Sequence, residues 1–83
     1  MNRISCQVAL YPLDVANSTS VIEDTLARMD WGGLQVVVGS MSTTLSGDEE
    51  EIWRCLQELS VTAGMSGRFV LNVTVSNYCG CEI

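Results

Sequence analysis

Three groups of side chains in this chain have the types and spacing to do chemistry. The densest is Gly39-Ser-Met-Ser-Thr-Thr-Leu-Ser-Gly-Asp48, a run of small hydroxyls with no charge before its last residue. Hydroxyls of this kind recognise rather than react, because each can donate one hydrogen bond, accept two and rotate to suit its partner. They suit the floor of a site for a small polar molecule. The second group, Asp48-Glu-Glu-Glu51, looks at first like a metal-ligand cluster. Four carboxylates opening a helix are explained more simply by the positive end of the helix dipole. The third is Cys79-Gly-Cys81. A single intervening residue makes a poor chelate, no Cys-x-x-Cys partner exists, and histidine is absent, so the pair reads as an inert tail and no metal site is expected.

Bond-making chemistry finds little support. The four cationic side chains are all arginine, and with neither histidine nor lysine the commonest general base and the amine nucleophile are missing. No glycine-rich phosphate loop is present. Cys6 and Cys55 fall on apolar faces, where cysteine behaves as a small hydrophobe. The expectation is a non-enzymatic protein with no catalytic residue and no cofactor.

The elements that position these groups follow from periodicity. Ile4 to Tyr11 alternates apolar and polar side chains as a half-buried strand does, and Pro12 ends it. A helix follows, capped by Ser20-x-x-Glu23 or by Ser18 or Asn17, with Ile22, Leu26 and Met29 on one face. Trp31-Gly32-Gly33 stops it. Leu34 to Gly39 is a second strand, Ser40-Met41 turns it, and Ser42 to Ser46 is a third. Asp48-x-x-Glu51 reads as a capping box for a second helix with Ile52, Leu56, Leu59 and Ala63 on its buried stripe. Arg68 to Asn77 is the last strand. The order β-α-β-β-α-β predicts an α+β, ferredoxin-like domain over residues 1–83, with two helices on one face of a four-stranded antiparallel sheet in the order 4-1-3-2.

Composition bounds the partners. A net charge of −6 opposes nucleic acid, which needs a basic footprint. The longest apolar runs are far short of a membrane span, and the N-terminal residues do not form a secretory signal, so the cytoplasm is expected. Hydrophobic content of 47% is high for 83 residues and points to a buried surface between copies.

The sheet face away from the helices collects Ser5, Gln7, Ala9, Tyr11, Gln35, Val37, Gly39, Ser42, Thr44, Val70, Asn72, Thr74 and Ser76, none charged. A face meant for bulk water usually carries Lys and Glu. A second copy stacked upon it, or a neutral polar ligand read by its amides and hydroxyls, would each account for it. Association is the more general mark of such a face. The two covers are compatible, because a polar-lined interface between sheets makes a ready site.

Three segments carry a resemblance. Ser5-Cys-Gln-Val-Ala-Leu-Tyr-Pro-Leu13, Gly39-Ser-Met-Ser-Thr-Thr-Leu-Ser-Gly-Asp48 and Val70-Leu-Asn-Val-Thr-Val-Ser-Asn77 resemble the YkoF-type thiamine/hydroxymethylpyrimidine-binding family, the middle one most specifically. The resemblance implies a ferredoxin-like, non-enzymatic binder of thiamine or its pyrimidine moiety, assembled from single domains into a homodimer or homotetramer. By motif position it places Gln7, Met41, Ser42, Thr43 and Thr44 at the ligand. The face argument adds Asn72 and Thr74, with Tyr11 as a stacking wall. Ser40 departs from the family's usual proline, Ser46 from a common acidic residue, and Asp14 from a glycine that often follows Tyr-Pro-Leu.

Overall fold

The computed structural model describes residues 2–78; Cys79 and Cys81 lie outside them. Its elements run β1 (Arg3–Pro12), α1 (Ser18–Ala27), β2 (Gln35–Val38), β3 (Thr43–Asp48), α2 (Glu49–Gly64) and β4 (Phe69–Ser76). They form one four-stranded antiparallel sheet in the order β2-β3-β1-β4, the expected 4-1-3-2 arrangement read from the other edge.

Burial along β1 alternates as its sequence does. Ile4, Cys6, Val8 and Leu10 are buried, and the first three with Leu45 of β3 meet Ile52, Cys55, Leu56 and Leu59 of α2 and Met29 after α1. Both helices therefore cover the same face. The central position of β1 follows from having partners on both sides, β3 through Cys6↔Leu45 and β4 through Cys6↔Val75.

The helix ends refine the expected caps. Asn17 caps α1, its side-chain oxygen accepting from the Ser20 N–H at 3.0 Å, so the Ser20-x-x-Glu23 box is not the one used. Further along, Thr25 is 2% exposed, and its buried hydroxyl is satisfied by donating to the Val21 carbonyl at 2.8 Å. Asp48 makes no side-chain cap to α2. The Glu51 carboxylate instead takes Arg54 Nε at 2.9 Å and the Gly33 N–H at 3.4 Å, which ties the loop after α1 to α2 and holds the Glu51 carboxyl below its usual range. Glu49, Glu50 and Glu51 do occupy the first helical turn, where the dipole favours them.

Two backbone positions carry special geometry. Gly47 has φ 156°, and a Cβ there would lie 2.6 Å from Leu34 Cδ2, so the residue admits the close approach of the loop before β2. Asp14 has φ 58°, a left-handed conformation that glycine adopts without penalty and aspartate tolerates. Its carboxylate accepts from Arg68 Nε at 2.8 Å, while the Leu13 N–H donates to the Arg68 carbonyl, so the end of β1 is latched to the start of β4.

Candidate functional site

Period-two alternation on the two long strands assembles the open face of the sheet. Gln7 stands opposite Thr74 and Ala9 opposite Asn72, with Tyr11 beside Val70. On the other flank of β1, Gln7 also faces Thr44 of β3. Beyond that point β3 has ended, and the Ser40-Met41 turn is closed by the Gly39 N–H donating to the Ser42 carbonyl at 2.8 Å. Ser42 leans over the face and its Oγ accepts from Gln7 Nε2 at 3.0 Å.

These pieces enclose a concavity of about 240 Å³. Gln7, Ala9 and Tyr11 of β1, Asn72 and Thr74 of β4, and Met41 and Ser42 of the turn line it. Six of the eight residues picked out in the sequence are thereby brought together. Thr44 shares the face but stands outside the lining. Thr43 does not share it: it pairs with Val8, lies on the helix side and is 6% exposed. Adjacent residues of a strand point to opposite faces, so Thr43 and Thr44 cannot both serve one side. Ala9, missed as a site residue, leaves open the floor between Gln7 and Tyr11; its place in the alternation was the available signal.

No charged side chain lines this concavity. Its chemistry is that of amide and hydroxyl groups able to donate or accept, an exposed methionine and a tyrosine ring edge. Such a set can orient a neutral polar molecule and has no group that titrates near neutrality. Among the described residues, no group of three or more His, Cys, Asp or Glu is placed to hold a metal ion.

A smaller cavity of about 100 Å³ opens on the helix side of the same turn. Ile22, Leu26, Trp31 and Val38 wall it, Thr43 lies on its floor, and Met41 and Ser42 border both cavities. Val38 belongs to the helix-side face by register yet is 64% exposed, at the end of β2 where this cavity opens.

The chain matches the model of the YKOF-related family over residues 3–82. It belongs to that family. Its YKOF-related fold is also seen in solved structures. Protein SP2199 of Streptococcus pneumoniae superposes with a TM-score of 0.80 at 25% identity, over 89% of this chain and 84% of that one. A candidate thiamine biosynthesis/salvage protein of Thermotoga maritima superposes with a TM-score of 0.77 at 24% identity, over 89% of this chain and 82% of that one. The hypothetical protein MJ1052 of Methanocaldococcus jannascii gives 0.73 at 23% identity, over 92% and 80%. No curated protein sequence matches significantly.

The two described cysteines of this YKOF-related chain take no part in either cavity. Burial pushes the Cys6 thiol up to about 11 and raises that of Cys55, whose Sγ lies 3.7 Å from the carbonyls of Asp30 and Trp31. A thiol must ionise to attack, so both are expected to be inert in the native state. At pH 8, alkylation followed by peptide mass spectrometry should leave Cys6 and Cys55 unmodified until denaturant is added. Native labelling of either at the rate of a free thiol contradicts this.

Proposed function

We propose that this chain binds thiamine or its hydroxymethylpyrimidine moiety reversibly and without transforming it, at the open-face cavity beside the Ser40-Met41 turn, and that a second copy covers the sheet face away from the helices, uncharged except for the pair Arg3↔Asp48 at one end. The observation that carries the reading is the 240 Å³ concavity built from neutral donors and acceptors on two strands and a turn, with no charge among them. A closed apolar cavity of about 150 Å³ accepts a benzene-sized ring, so this volume is enough for a ring with substituents. Membership of the YKOF-related family and the likeness to the Thermotoga maritima protein agree with a thiamine-related ligand. The net charge of −6 favours the approach of a cationic thiazolium without needing a carboxylate at the site.

A second reading has its own observation. Tyr11, Val37 and Val70 are each about half exposed on the same face, whose charged pair Arg3↔Asp48 stands at the opposite end, and this suits self-association alone. The test is isothermal calorimetry of the purified protein with thiamine and with hydroxymethylpyrimidine. Saturable binding of either supports the proposal; no heat from either at millimolar concentration leaves the face as an interface only.

A further inference from the structure

The described sulfur atoms divide by exposure. Cys6, Cys55 and Met29 are buried, whereas Met41 and Met65 stand 85% and 70% exposed. An oxidant arriving from solvent therefore meets two thioethers before any thiol. The thiols are withheld twice over, by cover and by the burial that keeps them protonated and so poorly nucleophilic.

The two exposed methionines differ in what surrounds them. Met65 follows α2 and lines neither cavity. Met41 stands in the turn between β2 and β3 and, with Ser42, borders both. Turns mostly carry Gly, Pro, Asn, Asp or Ser, each for a backbone or hydrogen-bonding reason. Methionine offers neither reason; it brings a long unbranched apolar arm with a polarizable end. The backbone beneath it is held in place. The Gly39 N–H closes the turn on the Ser42 carbonyl at 2.8 Å, and Gln7 Nε2 ties the Ser42 Oγ to the sheet at 3.0 Å. Met41 has no place in the core cluster, so a change in its side chain alters the rim of the concavity without loosening the fold.

We propose that Met41 is a reversible oxidation site that sets the affinity of the open-face concavity. The oxidant is a hydroperoxide, hydrogen peroxide in the simplest case. The thioether sulfur attacks one peroxide oxygen and the O–O bond breaks. The sulfur gives up two electrons, the proton of the transferred hydroxyl passes to the departing hydroxide, and methionine sulfoxide and water result. A dithiol reverses the step, its two thiols closing to a disulfide as the oxygen leaves in water. The sulfoxide is polar and chiral where the thioether was apolar. Its oxygen accepts hydrogen bonds and donates none. It enters a concavity whose donors are the Gln7 and Asn72 amides and the Ser42 and Thr74 hydroxyls, with the Tyr11 hydroxyl at one end, and it competes with a ligand for them. This regulation rests on the binding function proposed above.

The experiment treats the purified protein with hydrogen peroxide, removes the peroxide, and runs peptide mass spectrometry beside calorimetry with thiamine. Met41 and Met65 should each gain one oxygen and Met29 none. Thiamine affinity should fall about 2- to 10-fold, the worth of one sulfur–ring contact, with circular dichroism unchanged. Methionine sulfoxide reductases for both epimers, supplied with a dithiol, should restore mass and affinity together. Met65→Leu should lose affinity on oxidation as the wild type does. Met41→Leu, compared with itself before and after peroxide, should lose none. The exposure of Met41 is that of the single chain, so a second copy sealing the turn would spare it; an unmodified Met41 beside an oxidised Met65 overturns the proposal. So does a Met41 sulfoxide with unchanged affinity, or an equal loss in Met41→Leu, and each of these leaves the binding function standing. Absence of heat with the untreated protein overturns the binding function and this regulation with it.

Discussion

Asn72→Leu is expected to weaken thiamine binding by roughly 1–3 kcal/mol, a loss of about 5- to 150-fold, while leaving the fold intact. Asn72 lines the open-face concavity and stands opposite Ala9, the small residue that leaves room above the sheet. Leucine is close to asparagine in size and removes both the amide donor and its acceptor. A ligand group that enters this place then loses its partner and is still stripped of water, the expensive half of the exchange. Stability should change little, because the side chain is exposed in the single chain. Calorimetry of the variant beside the wild type checks this. Equal affinities of wild type and variant for thiamine would place the ligand elsewhere.

Thr74→Lys is expected to separate the copies of this chain. Thr74 lies near the middle of the open face, opposite Gln7, and no charge surrounds it there. If that face is covered by its counterpart, a lysine ammonium is buried without a partner, at a cost of about 3–5 kcal/mol. That corresponds to a dissociation constant raised by more than about 100-fold. Sedimentation at micromolar concentration should show wild type as a dimer or larger and the variant as a monomer with unchanged circular dichroism. A wild type that sediments as a monomer removes the covered-face reading, whatever the variant does.

Periodicity carried most of the architecture. The alternation of Ile4, Cys6, Val8 and Leu10 fixed which face β1 buries, and Phe69 to Ser76 repeats the pattern at the other end. The same alternation bears on Thr43: since Leu45 belongs to the core, Thr43 must share its side, and a motif that names consecutive threonines hides that split. Whether an apolar residue on the core face is truly covered depends on how closely the helices pack upon it. Val38 shows this, correct in register and yet exposed. The capping box expected for α2 failed in a similar way. Asp48 and Glu51 have the spacing of a capping box, but the carboxylate of Glu51 found Arg54, one turn on along the same helix, and Gly33, which tertiary packing brings within reach.

The placement of β1 between β3 and β4 also sets an order of assembly. Its two neighbours in the sheet lie far along the chain, as the pairs Cys6↔Leu45 and Cys6↔Val75 show. The β2–β3 hairpin can form from local contacts, whereas β1 gains its second partner only after α2 has formed and β4 has returned past it. Loops of that length must close before the ladder rewards them, which slows folding relative to a helical protein of the same size. Until that return, Cys6, Val8 and Leu10 sit on a strand with an unsatisfied edge. The nascent chain is therefore most exposed to misassociation in the interval before its last strand arrives.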